Sequence, residues 1–154
     1  MQWSTLKFGK HIGKSLPQVI FTDPDWFFWA VEDTVFKGPL QQEAADLDKK
    51  ARSIRIPSKH GIKQVAEYYV HPPTGKFASM QILDANIPQH QGSSPTFRKD
   101  VIDLSMPRQI APYDKLGCGN LITSAKHALF GSGSARMTRQ RCEAFFNDLS
   151  NFAP

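Results

Sequence analysis

The sequence predicts an α+β fold: an N-terminal β-hairpin plus two helices, fused to a small antiparallel β-rich part with two C-terminal helices. Three observations carry this. Apolar residues recur at helical spacing over "TDPDWFFWAVEDTVF" and again over "PLQQEAADLDKKARSIRI". "VAEYYV" and "FASMQIL" have strand character and flank the turn-forming "HPPTGK". Gly9 and Gly13 punctuate "LKFGKHIGKSLPQV", where glycine tolerates the positive φ of a tight turn.

Taken in order, Leu6–Phe8 and Ser15–Val19 are short extended segments joined by the Gly9–Gly13 turn. In the first helix, Thr22 or Asp23 can cap the N-terminus, Pro24 fits the first turn, and Asp25 complements the positive dipole end. Trp26, Trp29 and Ala30 share one side of it, which leaves Phe28 as the outermost ring. The helix ends before Lys37-Gly38. Pro39 opens the second, where Leu40, Ala44, Leu47 and Ala51 form one apolar stripe. Its acidic residues come early and its basic residues late, as the dipole favours.

Pro57 and Gly61 within "IPSKHGIK" mark a boundary between residues 1–57 and 58–154, two parts expected to pack as one unit. In the second part Pro73 and Gly75 make the turn between two strands. Asn86–Thr96 reads as an exposed loop, and "DVIDLSM" as a third strand ended by Pro107. "YDKLGCGN" is turn-rich, and a helix follows over Leu121–Phe130. "GSGS" is a natural loop or an added linker. Thr138 caps a last helix with Cys142, Phe145, Phe146 and Leu149 on its apolar side.

At 154 residues, 40% apolar and 11% aromatic, the chain can bury a real core, which excludes a disordered class. No apolar run approaches the roughly 18 residues of a membrane span. "MQWSTLKFGK" lacks the pattern of a secretory signal, and Cys118 and Cys142 form no CxxC motif, so a cytoplasmic setting is expected. A disulfide between the two cysteines stays open. The net charge is +5, with eight Lys/Arg against seven Asp/Glu up to Pro57 and eleven against seven beyond it. Such an excess favours phosphate-rich partners.

Phe8, Gly9, Lys10, Gly13, Lys14 and Leu16 form an FGKxxGK start, followed by Trp26, Phe27, Trp29, Ala30, Gly38, Leu40 and Leu47. In these residues the chain resembles the C-terminal domain of exodeoxyribonuclease X-like proteins and a related family named for quorum-sensing-regulated virulence factors. The resemblance covers Leu6–Pro57, about a third of the chain. It implies a prokaryotic or phage origin, a hairpin–helix–helix module and association with DNA-processing proteins. It does not imply nuclease activity, because the exonuclease chemistry of that enzyme lies in a separate carboxylate-rich domain.

Four groups of residues could carry chemistry. "GKHIGKS" is no Walker loop on spacing, since GxxxxGK[ST] needs four residues between the glycines and a helix after them, whereas Leu16–Val19 reads as extended. Lys10, His11 and Lys14 share one turn and can meet phosphates together, or simply keep an exposed edge soluble. The rings of "WFFW" divide between core packing and one exposed face that could stack on a base. Arg136, Arg139 and Arg141 crowd a helix N-terminus, with Lys126 on the preceding helix. That arrangement is unfavourable against the dipole unless an anion neutralises it.

His11, His60, His71, His90 and His127 are scattered without metal-ligand spacing. Glu67, Asp84, Asp100 and Asp103 lie on or near strands without the lysine that a PD-(D/E)xK nuclease requires. No catalytic residue, metal or cofactor is therefore assigned. The expectation is a non-enzymatic accessory protein that binds DNA or RNA, or a nucleic-acid-processing complex, with Lys10, His11, Lys14, Lys126, Arg136, Arg139 and Arg141 on phosphates. The alternatives are a protein-interaction or inhibitor module without direct DNA contact, and a metal-dependent nuclease. No membrane association is expected.

Overall fold

A computed structural model describes residues 2–74 and 76–154. It is an α+β fold, with six α-helices and two small antiparallel sheets among the described residues. The helices are α1 (Leu16–Thr22), α2 (Pro24–Glu32), α3 (Pro39–Ala51), α4 (Met106–Ile110), α5 (Lys115–Phe130) and α6 (Arg139–Asn147). One sheet pairs β1 (Ile54–Arg55) with β5 (Val101–Ile102). The other has the order β3-β2-β4, built from β2 (Gln64–His71), β3 (Lys76–Asp84) and β4 (Thr96–Lys99). Among the described residues no helix is long and apolar enough to cross a membrane.

The N-terminal hairpin is where local structure departs most from expectation. Thr5 and Ser15 form a single antiparallel bridge, and the chain then turns straight into α1 instead of a return strand. Leu16, Val19 and Ile20 are all buried, and their spacing of three and four suits a helix better than a half-buried strand. Ser15 starts it: the Gln18 side chain accepts from the Ser15 amide at 3.4 Å, and the Ser15 hydroxyl donates to Glu143 at 3.3 Å. Asp23 then caps α2 by accepting from the Trp26 amide, and Glu43 on α3 takes two hydrogen bonds from Ser4.

One apolar cluster crosses the expected boundary at Pro57. It joins Trp3, Phe21, Phe27, Leu47 and Ile54 to Ile102, Ala125, Cys142, Phe146 and Phe152. Phe21 sits at its centre, with ring centroids of Phe130, Phe145 and Phe146 at 5.2, 5.2 and 5.3 Å. The β1–β5 pair and the bond from the Ala153 amide to the Ser53 carbonyl tie the same two parts together. Lys59 and Ile62 exchange both backbone hydrogen bonds across His60 and Gly61, which both have positive φ, the mark of a type I′ turn.

Several other expectations change. Thr96 belongs to β4, so the loop after Asn86 is shorter, while Gly75 of the expected turn lies outside the described residues. Met106 and Pro107 open a helix where a strand end was expected. α5 starts six residues early because Asp114 caps it at the Gly117 amide, and it runs through Gly117 and Gly119. The glycines read as breakers, but burial of Gly117 and Leu121 outweighs their propensity. Gly131, at φ 82, ends α5 in the left-handed conformation, and Ser132 and Ser134 close an ordered turn after it. Leu149 stands 71% exposed beyond α6 instead of in its apolar side. Both cysteines are free.

Candidate nucleic-acid interface

The loop from Leu6 to Lys14 is closed by its own backbone. The Leu6 amide donates to the Lys14 carbonyl at 2.8 Å, and the Gly13 amide to the Leu6 carbonyl at 2.8 Å. Ile12 bonds back to Gly9 and Lys14 to His11. Gly9 and Gly13 hold φ of 75° and 89°, which L side chains rarely adopt. A helix does follow "GKS", so the context argument against a phosphate loop does not hold. The amides of Ile12, Gly13, Lys14 and Ser15 are nevertheless all spent inside the protein. A phosphate cradle needs such amides free.

Gly9 is the tightest point. A Cβ built on it would lie 3.4 Å from the Trp26 ring, at a φ that already strains any L residue. Gly9→Ala is expected to cost about 1–2 kcal/mol from the backbone alone, read as a lower midpoint in chemical denaturation. Gly119→Ala, whose added Cβ meets nothing within 4 Å in a helix, is the control expected not to destabilise.

Asp23 organises the loop from beneath. One of its oxygens accepts from the His11 ring at 2.9 Å and pairs with Lys10 at 2.9 Å, while the other caps α2. Burial works to raise the Asp23 pKa, but hydrogen bonds from Lys10, His11 and the Trp26 amide together hold it below the usual aspartate value. His11 is consequently no surface residue: it is 9% exposed and packs edge-on against Trp26 at 5.0 Å. Its expected role on phosphate gives way to a role inside the loop.

What remains outside is a set of lysines and rings. Lys10 keeps 61% of its side-chain surface exposed, and an ammonium has three donors, so pairing with Asp23 leaves two. Lys14 is exposed and has no side-chain partner among the described residues. Lys7 and Lys37, both exposed, join them. Asp23 is the first carboxylate in the sequence, so the loop itself carries no acidic residue. Phe8 and Trp29 are each 38% exposed and Ile12 is 64% exposed. The ring expected outermost, Phe28, is 2% exposed: it belongs to the apolar core, packs edge-on against Phe27 at 5.0 Å and lies under the Arg52 guanidinium at 5.1 Å; Trp29 takes its place.

The C-terminal arginines reach the base of this loop but divide in role. Arg139 donates to Glu143 at 2.7 Å, to the Thr5 hydroxyl at 2.7 Å and to the Trp3 carbonyl at 2.9 Å. That clamp takes three of the five guanidinium N–H donors, and Glu143, one turn further along α6, offsets the Arg139 charge. Arg139 is thus a clamp between α6 and the N-terminal segment, with two donors left for the phosphate role expected of it. Arg141 donates to the Arg136 carbonyl and lies over the Phe130 ring at 5.6 Å. Arg136 is exposed and Lys126 half-buried on α5. The shallow groove beside Arg141 also contains Asp148, a carboxylate held ionised by Ser150, which makes it a weaker anion site than the loop.

The carboxylates singled out for chemistry are each engaged elsewhere. Glu67, 2% exposed, takes hydrogen bonds from Arg98 at 3.0 Å, the His90 amide at 3.3 Å and Tyr69 at 3.4 Å. Asp84 accepts from Gln64, Asp100 pairs with Lys63, and Asp103 holds Ser105 and faces Lys99. Among the described residues no three of His, Cys, Asp and Glu are grouped to hold a metal ion. Burial pushes the Cys142 thiol up to about 12, far from a nucleophile's range. No protein-family model, curated protein or solved structure significantly matches the chain.

Lys7, Lys37 and the exposure of Phe8 and Trp29 are the parts of this surface that sequence reasoning missed. A signal existed for Lys7 alone: no carboxylate precedes Asp23 in the sequence.

Proposed function

We propose that this chain is a non-enzymatic accessory protein that binds nucleic acid through the Leu6–Lys14 loop. The observation that carries the reading is a rigid turn presenting Lys7, Lys10 and Lys14 with no acidic residue in it, beside two half-exposed rings. Lysines on a preorganised loop contact phosphates without reading bases, so binding is electrostatic and broadly sequence-tolerant. The resemblance of Leu6–Pro57 to the exodeoxyribonuclease X-like domain supports a setting among prokaryotic or phage DNA-processing proteins. Two free thiols suit a reducing cytoplasm.

The test is retention of labelled single- and double-stranded DNA and RNA at low ionic strength, repeated as salt rises. The expected result is binding that weakens steadily with salt. Absence of salt-sensitive binding to every one of these probes would remove the proposal. A protein-interaction or inhibitor module is the second reading, and the exposed Ile12, Phe8 and Trp29 are what favour it. It calls for a specific protein partner whose capture changes little with salt.

A further inference from the structure

We infer that the nucleic acid bound at this loop is single-stranded, with Phe8 and Trp29 stacking on its bases; the inference rests on the proposed function. The rings form a continuous series. Phe8 meets Phe36 at 6.5 Å, Phe36 meets Trp26 at 5.9 Å, and Trp26 meets Trp29 at 6.3 Å. Phe36 is buried and Trp26 half-buried, so the series has an anchored middle and two exposed ends. Lys7 and Gly9 flank Phe8 in sequence, Lys10 and Lys14 complete the loop, and Lys37 follows Phe36. Positive charge around exposed ring faces is the composition that holds a strand's backbone while its bases stack.

Duplex fits the same surface poorly. Bases in a duplex have no free faces, so the two rings would gain nothing from it. Laying α2 into a groove would bring Asp25, Glu32 and Asp33 towards phosphates. Arg108 pairs with both Asp25 and Glu32, at 2.9 Å each, and its single charge leaves that trio net negative, while Asp33 makes no ion pair among the described residues. Approach along α2 is therefore repelled at Asp33, and approach over the lysine loop is not. A single strand can follow the lysine loop and set one base on Trp29, one turn before Asp33, without laying its backbone along α2.

The experiment measures affinities of oligo(dT) and of a blunt-ended DNA duplex of equal charge at one ionic strength. The proteins are wild type, Phe8→Ala, Trp29→Ala and Trp29→Phe, each checked for an unchanged melting transition. Oligo(dT) is expected to bind more tightly than duplex. Each alanine variant should lose roughly 5- to 150-fold for oligo(dT) and little for duplex, with the salt slope unchanged; Trp29→Phe should retain most of the affinity. A second reading needs no destabilised variant: oligo(dT) should quench the tryptophan emission of wild type, and less so in Trp29→Phe. Equal binding of duplex and oligo(dT), with no loss on ring removal and no quenching, overturns the inference but leaves the lysine-loop reading standing. No salt-sensitive binding of either probe overturns the reading itself.

Discussion

Replacing Arg98 with alanine is expected to destabilise the protein by about 3 kcal/mol, the lower end of the cost of breaking a buried ion pair. The lower end applies because Arg98 keeps 21% of its side-chain surface, whereas Glu67 keeps 2%. Arg98 donates to Glu67 at 3.0 Å and also to the carbonyls of Ala85 at 3.4 Å and Ile87 at 2.6 Å. Its loss strands a buried carboxylate and frees the start of the loop between β3 and β4. The pH dependence identifies the cause. Burial acts to raise the Glu67 pKa, but Arg98, the His90 amide and Tyr69 together hold it below the usual glutamate value. The stability Glu67 contributes is thus present above the ordinary glutamate pKa, near 4.3, and is lost as pH falls through the lower folded value. Without Arg98 burial prevails and the carboxyl protonates readily. Denaturant titrations should therefore show a large gap between wild type and variant at neutral pH that narrows in acid. A gap below about 1 kcal/mol at neutral pH would mean that the pair behaves as a surface bridge.

Asp23→Ala is the second large effect, at roughly 2–4 kcal/mol: a lost N-cap plus a buried His11 deprived of its partner. The Lys10 pair adds little, because Lys10 is 61% exposed and solvent screens it. Asp23→Asn keeps an oxygen for the Trp26 amide and should cost markedly less. Since the Asp23 pKa is held below the usual aspartate value, wild type should lose this stabilisation as pH falls through that folded value; Asp23→Ala has none to lose. Binding should move in the opposite sense from stability. Removing Asp23 frees Lys10 for phosphate, so the salt dependence of nucleic-acid binding should hold or steepen while thermal stability falls. A salt slope that flattens in Asp23→Ala would show that loop geometry, more than lysine charge, sets the interaction.

How far the sequence reached depends on the range of the forces involved. α2 and α6 were legible from local caps, since Asp23 and Thr138 each bond an amide three residues ahead, and α3 from its apolar stripe. α1 was not, because "SLPQVIF" suits a strand or a helix and burial against α6 settles it. Lys10 and Lys14 were legible as turn lysines, since the glycines around them need positive φ. His11 was not, because Asp23 reads as a helix cap and gives no sign of a second role beneath the loop. Arg139 was not, because its partners Trp3 and Thr5 lie 136 and 134 residues away in sequence. Phe28 and Trp29 exchanged places for a similar reason: Phe28 belongs to the apolar core and lies under Arg52, on another helix end.

The central claim is that the Leu6–Lys14 loop holds nucleic-acid phosphates. Its most direct test is the salt slope of oligo(dT) binding for wild type and for the triple variant Lys7→Ala, Lys10→Ala, Lys14→Ala. Three lysine–phosphate contacts on a single strand correspond to a slope of about −2 in log affinity against log salt. The account expects wild type at or somewhat beyond that value and the triple variant about two units flatter, with its melting transition preserved. Superimposable slopes for the two proteins would contradict it.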